Sequence, residues 1–128
     1  MMKRVGYLIV LLVIFSFYAG CGAKNPTIKN GTYVYGNDPK GVNNATISIS
    51  DKEITFVFDL LSSYMNIGTY TIKDNLLTMV TDDGLYHYVF QISEDTLIFK
   101  KDKSSSVKLI DSRLGVQVVD NSVFKLKK

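Results

Sequence analysis

The sequence contains one cysteine, one histidine, two prolines and no tryptophan. A single cysteine excludes an intrachain disulfide, so the fold must hold by burial and strand pairing alone. A single histidine, His87, excludes a metal centre built on several imidazoles. It also leaves Ser62 and Ser63 with only one conceivable base, and no G-x-S-x-G frame surrounds those serines. Strong charge of one sign is missing as well. The 128 residues carry 15 Lys+Arg against 12 Asp+Glu, and two of the bases, Lys3 and Arg4, belong to an apolar leader. The remainder is close to neutral. Nucleic-acid binding needs a concentrated basic surface. The basic cluster Lys100, Lys101 and Lys103 is interrupted by Asp102 and reads as a solvated loop. No nucleic-acid partner is expected.

The acidic residues are equally unproductive. Asp82-Asp83-Gly84 lacks the alternating acids and distal glutamate of a calcium loop, and reads as a turn. Asp38, Asp59 and Asp111 fall on loops, with no spacing that sets up a glycosidase pair. By alternation His87 points to solvent, away from any second ligand. No metal, cofactor or catalytic residue is therefore expected, and the chain reads as a non-enzyme.

What is present begins with residues 1–20. Lys3 and Arg4 make a positive start, residues 5–17 are almost wholly apolar, and small residues precede Cys21. This is the layout of an export signal. The apolar run is shorter than the roughly 20 residues that span a bilayer. Ala19-Gly20-Cys21 resembles the bacterial lipobox, with Tyr18 where leucine is usual. The resemblance implies cleavage before Cys21 and lipid attachment to its thiol. Two acyl chains anchor stably where one binds only marginally. An uncleaved anchor or an ordinary secretory signal would share the leader. The sole cysteine, at the one position this chemistry uses, favours the lipoprotein. The expected organisation is a signal peptide over 1–20, a lipidated polar tether over 21–29, and a domain over 30–128. The expected location is the extracytoplasmic face of the cell membrane.

Residues 30–128 alternate between apolar and polar with a period near two, which predicts half-buried strands. Expected strands run over 31–35, 45–49, 54–58, 68–72, 76–81, 85–92, 96–100 and 122–126, with weaker candidates at 107–110 and 116–119. Residues 60–65 could form a helical turn. Links read as short, which joins antiparallel neighbours. The expected fold is all-β, an antiparallel meander of about eight strands. Closing it into a barrel, complete or partly open, would bury the aromatic face and remove exposed edges. A two-layer sandwich is the alternative. The triplet Gly-Thr-Tyr occurs at 31–33 and again at 68–70. Glycine at those points lets a neighbouring chain pass close.

Several segments carry a resemblance: Phe56-Val57-Phe58, Leu61-Ser62-Ser63-Tyr64, Gly68-Thr69-Tyr70-Thr71-Ile72, Asp74-Asn75-Leu76-Leu77-Thr78, Asp82-Asp83-Gly84, Tyr88-Val89-Phe90, Asp95-Thr96-Leu97-Ile98-Phe99 and Val123-Phe124-Lys125. Together they resemble a family of small lipocalin-like β-domains in Firmicute lipoproteins. They are also similar to the extracytoplasmic tail of some β-lactam-sensor-type membrane metallopeptidases. The His-Glu-x-x-His zinc motif of those peptidases is absent. The resemblance implies the fold and no chemistry.

Two functions follow as expectations. One is a membrane-anchored, non-catalytic interaction or sensory module that meets an envelope protein through an apolar patch of Leu60, Leu61, Tyr64 and Met65. The other is a lipocalin-like carrier of a small apolar ligand, lined by Tyr33, Tyr35, Tyr70, Tyr86 and Tyr88. A cavity among those tyrosines would favour the carrier. A filled interior beneath an exposed patch would favour the module.

Overall fold

The computed structural model describes residues 27–128. The leader, Cys21 and most of the expected tether lie outside the described residues. Eight strands follow in chain order: β1 (Gly31–Tyr35), β2 (Ala45–Ile49), β3 (Ile54–Val57), β4 (Asn66–Lys73), β5 (Leu76–Thr81), β6 (His87–Ser93), β7 (Thr96–Phe99) and β8 (Val123–Leu126). Each pairs antiparallel with the next, and β8 returns to β1, so the sheet closes as a barrel in simple sequence order. Closure gives every strand two neighbours and leaves no edge for another chain to extend.

Strand register places the interior residues opposite one another all the way round. Tyr33 faces Ile47, Ile47 faces Phe56, Ile54 faces Gly68, Tyr70 faces Met79, Leu77 faces Phe90, Ile92 faces Leu97 and Leu97 faces Phe124. A shift of one residue in any pair would turn an apolar set to water, so burial fixes the register. Phe56 sits at the centre of the enclosed space. Its ring meets those of Phe58, Tyr88, Phe90, Phe99 and Phe124, with centroids between 5.0 and 6.3 Å apart. Most of these pairs are edge-to-face, the arrangement the ring quadrupole favours. Tyr33, Phe56, Phe90, Phe99 and Phe124 are wholly enclosed. The barrel is filled by its own side chains, as small barrels usually are.

The two ends of the barrel differ. Turns β2–β3, β4–β5 and β6–β7 are tight and share one end with the incoming N-terminal segment and the C-terminus. In the β4–β5 turn, Asp74 and Asn75 both take positive φ, 52° and 64°, as a two-residue type I′ hairpin requires. At this end Ile28 packs against the interior and the Tyr33 hydroxyl donates to the Lys29 carbonyl at 2.8 Å. The chain entering the barrel is thus held from Ile28 onward. The opposite end carries four longer loops: 36–44, 58–65, 82–86 and 100–122.

The last of these loops departs from expectation. Residues 107–110 and 116–119 are not strands, and the β7–β8 link is long. Their backbone groups are met by side chains in place of a ladder. Gln117 Nε2 donates to the carbonyls of Val107 and Val118, and Asp59 Oδ2 accepts the Ile110 N–H at 2.8 Å. Buried polar backbone must be satisfied somewhere, and here side chains do it. The segment lies across the mouth and buries Val107, Leu109 and Val118. Just before it, Ser104 Oγ accepts from Val89 N and Ser105 Oγ from His87 N, so two serines stand where β7 would otherwise continue along β6. Val89 is thereby covered on the outer face. A single 3-10 turn, Lys101–Lys103, opens the loop. Residues 60–65 form no helix; a turn at Leu60-Leu61 leads to irregular chain, and β4 begins two residues earlier than expected.

Gly68 shows why its triplet begins with glycine. A Cβ there would lie 1.9 Å from the Val80 carbonyl oxygen and 2.8 Å from Thr81 Cα. Backbone cannot yield as a flexible side chain can, so β4 and β5 approach this closely only over a glycine. Gly68→Ala is therefore expected to destabilise the barrel more than Gly84→Ala, where nothing lies within 4 Å and only the positive φ opposes the change. Phe56→Ala, which empties the centre of the aromatic cluster, is expected to cost about 3–5 kcal/mol. Urea unfolding followed by circular dichroism checks both. Equal midpoints for Gly68→Ala and the parent chain would count against the close approach.

Candidate functional site

The tyrosines expected to line a ligand cavity divide into three groups. Tyr33 and Tyr88 are fully interior. Tyr35 and Tyr70 are half-buried at opposite ends of the barrel. Tyr35 packs on Phe124 with centroids 5.5 Å apart, and the Tyr70 hydroxyl donates to the Ser50 carbonyl at 3.1 Å. Tyr86 is not interior. It precedes β6 on the 82–86 loop and is 39% exposed. The alternation that carried it inward stops at His87, because Thr81 and Asp83 wind the five residues after β5 into a loop. Thr81 N donates to the Tyr86 carbonyl, and Leu85 N donates to Asp83 Oδ1.

The interior tyrosine hydroxyls are satisfied within the chain. Tyr33 donates to Lys29, as above. Tyr88 donates to Asn66 Oδ1 at 3.3 Å. Burial pushes the Tyr88 phenol up to about 12, with the phenols of Tyr86 and Tyr64 adding to the effect. The Tyr33 phenol is also raised, first by burial and then by the negative charge of Asp95. Water or ligand is not needed to meet these groups.

The four residues of the expected patch gather on the 58–65 loop. Leu60, Leu61, Tyr64 and Met65 are all exposed. They have company: among the described residues, every exposed large apolar side chain except Val80 and Val123 sits on one of the four loops at this end. Leu85 and Ile110, each 69% exposed, are the most open. A turn-rich loop normally presents polar residues, so this concentration is the informative feature.

Polar contacts fix the loops to one another. The Tyr64 hydroxyl donates to Asp83 Oδ2, and the Tyr64 and Tyr86 rings meet edge-to-face at 5.2 Å. Thr81 Oγ1 donates to Asp83 Oδ1 at 2.7 Å. Asp59 ties the 58–65 loop to the long loop through Ile110. The hydrogen bond from Tyr64 holds the Asp83 carboxyl below the usual carboxylate range, helped by Leu85 N and Thr81. The same bond raises the Tyr64 phenol. Asp111 is likewise lowered by its bond to Arg113, a pair 3.0 Å apart on the surface. Sequence reading missed Asp83 and Asn66 as parts of this end. Their bonds to Tyr64 and Tyr88 have no local signal, since these partners lie 19 and 22 residues away.

His87 is exposed on the outer face of β6. Among the described residues, no group of three or more His, Cys, Asp or Glu side chains is placed to hold a metal ion, and no helix is long and apolar enough to cross a membrane. Compared with family models, curated proteins and solved structures, the chain matches none.

Two pH effects follow. Tyr64→Phe removes the main cause of the Asp83 shift, so the Asp83 carboxyl is expected to titrate at higher pH. Carboxyl carbon NMR reads this directly, and an unmoved Asp83 would exclude the bond. A depressed carboxylate stabilises above its unfolded value, and that stability is lost as pH falls through the folded value. Tyr64→Phe should therefore flatten the acid limb of the stability curve. Tyr88 acts at the other extreme. Its folded value lies above its unfolded one, so its contribution is complete below pH 10 and declines as pH rises toward about 12. Tyr88→Phe should lessen the alkaline loss of stability, read as the urea midpoint at pH 9 and at about pH 11.

Proposed function

We propose that this chain is a membrane-anchored extracytoplasmic lipoprotein whose barrel is a non-catalytic interaction module, with its loop end as the contact surface. The observation that carries the reading is the placement of exposed apolar side chains on the loops at one end, opposite the end where the N-terminal segment joins the barrel. Non-polar surface gathered on loops marks a site of association. The leader pattern and the position of Cys21 support the anchor. The resemblance to lipocalin-like lipoprotein domains agrees with the small barrel.

The attachment of the N-terminal segment supports an orientation within this reading. Ile28 and Lys29 are fastened to the short-turn end, and Lys29 pairs with Asp95 at 3.0 Å. A lipid on Cys21 then leaves only a few residues of slack between bilayer and barrel. On this reading the short-turn end lies nearer the membrane and the loops face outward. The carrier reading has less support. Aromatic rings fill the interior, and a ligand there would have to displace them.

Two measurements on the full chain in a bacterial host test the proposal. Cys21→Ala is expected to lose incorporation of labelled palmitate and to leave the membrane fraction; retained label would overturn the anchor. A photo-crosslinking residue in place of Leu61 or Leu85 is expected to give discrete adducts in intact cells, whereas one in place of Lys73 or Glu94 is not. Equal yields from both ends would overturn the loop-end contact.

A further inference from the structure

The loop end holds a cleft of about 210 Å³ beneath residues 58–65. Its floor is Phe56, fully enclosed, and Phe58, half-buried; Leu60 and Met65 form its rim, 53% and 58% exposed. Asp59 lies at its edge, but both carboxylate oxygens are engaged, Oδ1 by Leu61 N at 3.0 Å and Oδ2 by Ile110 N. Ser62 Oγ accepts from Tyr64 N at 3.2 Å. Its hydroxyl hydrogen has no acceptor among the described residues, and Asn66 is half engaged in the same way. Its Oδ1 accepts from Tyr88, while its Nδ2 has no acceptor among the described residues. No enclosed side-chain nitrogen or oxygen there lacks a partner, so this amide nitrogen is open, on the cleft that Asn66 lines. The site therefore offers apolar walls, two unused donors, the Ser62 hydroxyl and the Asn66 amide, and no unengaged charge.

We propose that this cleft is a socket for one uncharged apolar side chain, of leucine or phenylalanine size, from a polypeptide partner, with Asn66 Nδ2 donating to a carbonyl beside it. The inference rests on the loop end being the contact surface and names the partner's chemistry. Size argues for a single side chain: a cavity of about 150 Å³ accepts benzene, and an acyl chain would not fit. A charged group would lose its hydration without gaining a counter-charge. The rim argues for a polypeptide over a free small molecule. Leu60 and Met65 on the rim and Leu61 beside it are all exposed, so apolar surface continues outside the cleft. A chain lying over them, with one residue inserted, covers both. Anchors seated in desolvated pockets carry much of the affinity of such contacts.

The test uses the full chain in a lipid nanodisc, with methionine methyl groups labelled for NMR. Met65 reports on the rim, and Met79, fully buried on β5, reports on the fold. N-acetyl-phenylalanine amide or N-acetyl-leucine amide is expected to shift Met65 saturably and leave Met79 in place. N-acetyl-aspartate amide is expected to shift neither. Asn66→Asp keeps an acceptor for Tyr88 and removes the donor, so it should weaken binding about threefold to tenfold. Unchanged affinity with an unmoved Met79 signal would overturn the role of Asn66. Should Met79 report a disturbed fold, Leu60→Ser on the exposed rim carries the test: weaker binding is expected, and unchanged affinity would overturn the socket. The absence of any saturable Met65 shift up to the solubility limit of both apolar probes would overturn it outright. If adducts from Leu61 persist in that case, the socket falls and the loop-end contact stands. A saturable shift without adducts would overturn the polypeptide as occupant.

Discussion

The seam between β1 and β8 is short. Tyr33 pairs with Leu126 and Val34 with Lys125, and Lys127 N adds a bond to the Thr32 carbonyl at 2.8 Å. Without that seam the sheet would be open, with two unpaired edges and one apolar face exposed to water. With it, the inward residues of eight strands face a common axis and Phe56 becomes a central ring. The chain contains no disulfide to hold the circle closed, so burial of the aromatic interior must do so. Hydrophobic burial and strand closure are thus one constraint seen from two directions.

That constraint explains the contrast between the barrel ends. In an up-and-down barrel, alternate connections fall on alternate ends. The connections on one end have shrunk to near the minimum a hairpin allows, and the N-terminal segment plugs the space they leave. On the other end the loops are long enough to carry apolar side chains into solvent and to cover the mouth. Within them side chains act as backbone partners: Gln117, Asp59, Asp83, Ser104 and Ser105. None of these takes part in the core. Together they permit irregular chain to sit on an apolar interior without orphaned polar groups.

Legibility in the sequence followed distance along the chain. Strands with strict alternation and turns with Asp-Asn or Glu-Asp at their tips could be read locally, because side-chain period and turn chemistry act over a few residues. The closeness of chain at Gly68 was also legible in kind, since a glycine within an alternating strand points to a close backbone approach. Where apolar alternation misled, a side chain had taken the backbone groups that a ladder would use. Residues 107–110 and 116–119 have the composition of strands, but Gln117 and Asp59 claim their backbone groups. Tyr86 continues the period of β6, yet Thr81 bends the chain before it can join the ladder.

The patch of Leu60, Leu61, Tyr64 and Met65 was visible as apolar residues outside the strand pattern. Its setting was not. The order of residues determined an all-β chain, its turns, and which side chains share a face, since these depend on steric preferences between near neighbours. It also placed the sole cysteine directly after a basic start and an apolar run. Only the tertiary structure decided that the interior is full, that Tyr86 lies outside it, and that four separate loops share one end. Those outcomes depend on strand closure and on pairs such as Tyr64 with Asp83 and Tyr88 with Asn66, which exist only once the sheet has curved round to bring them together.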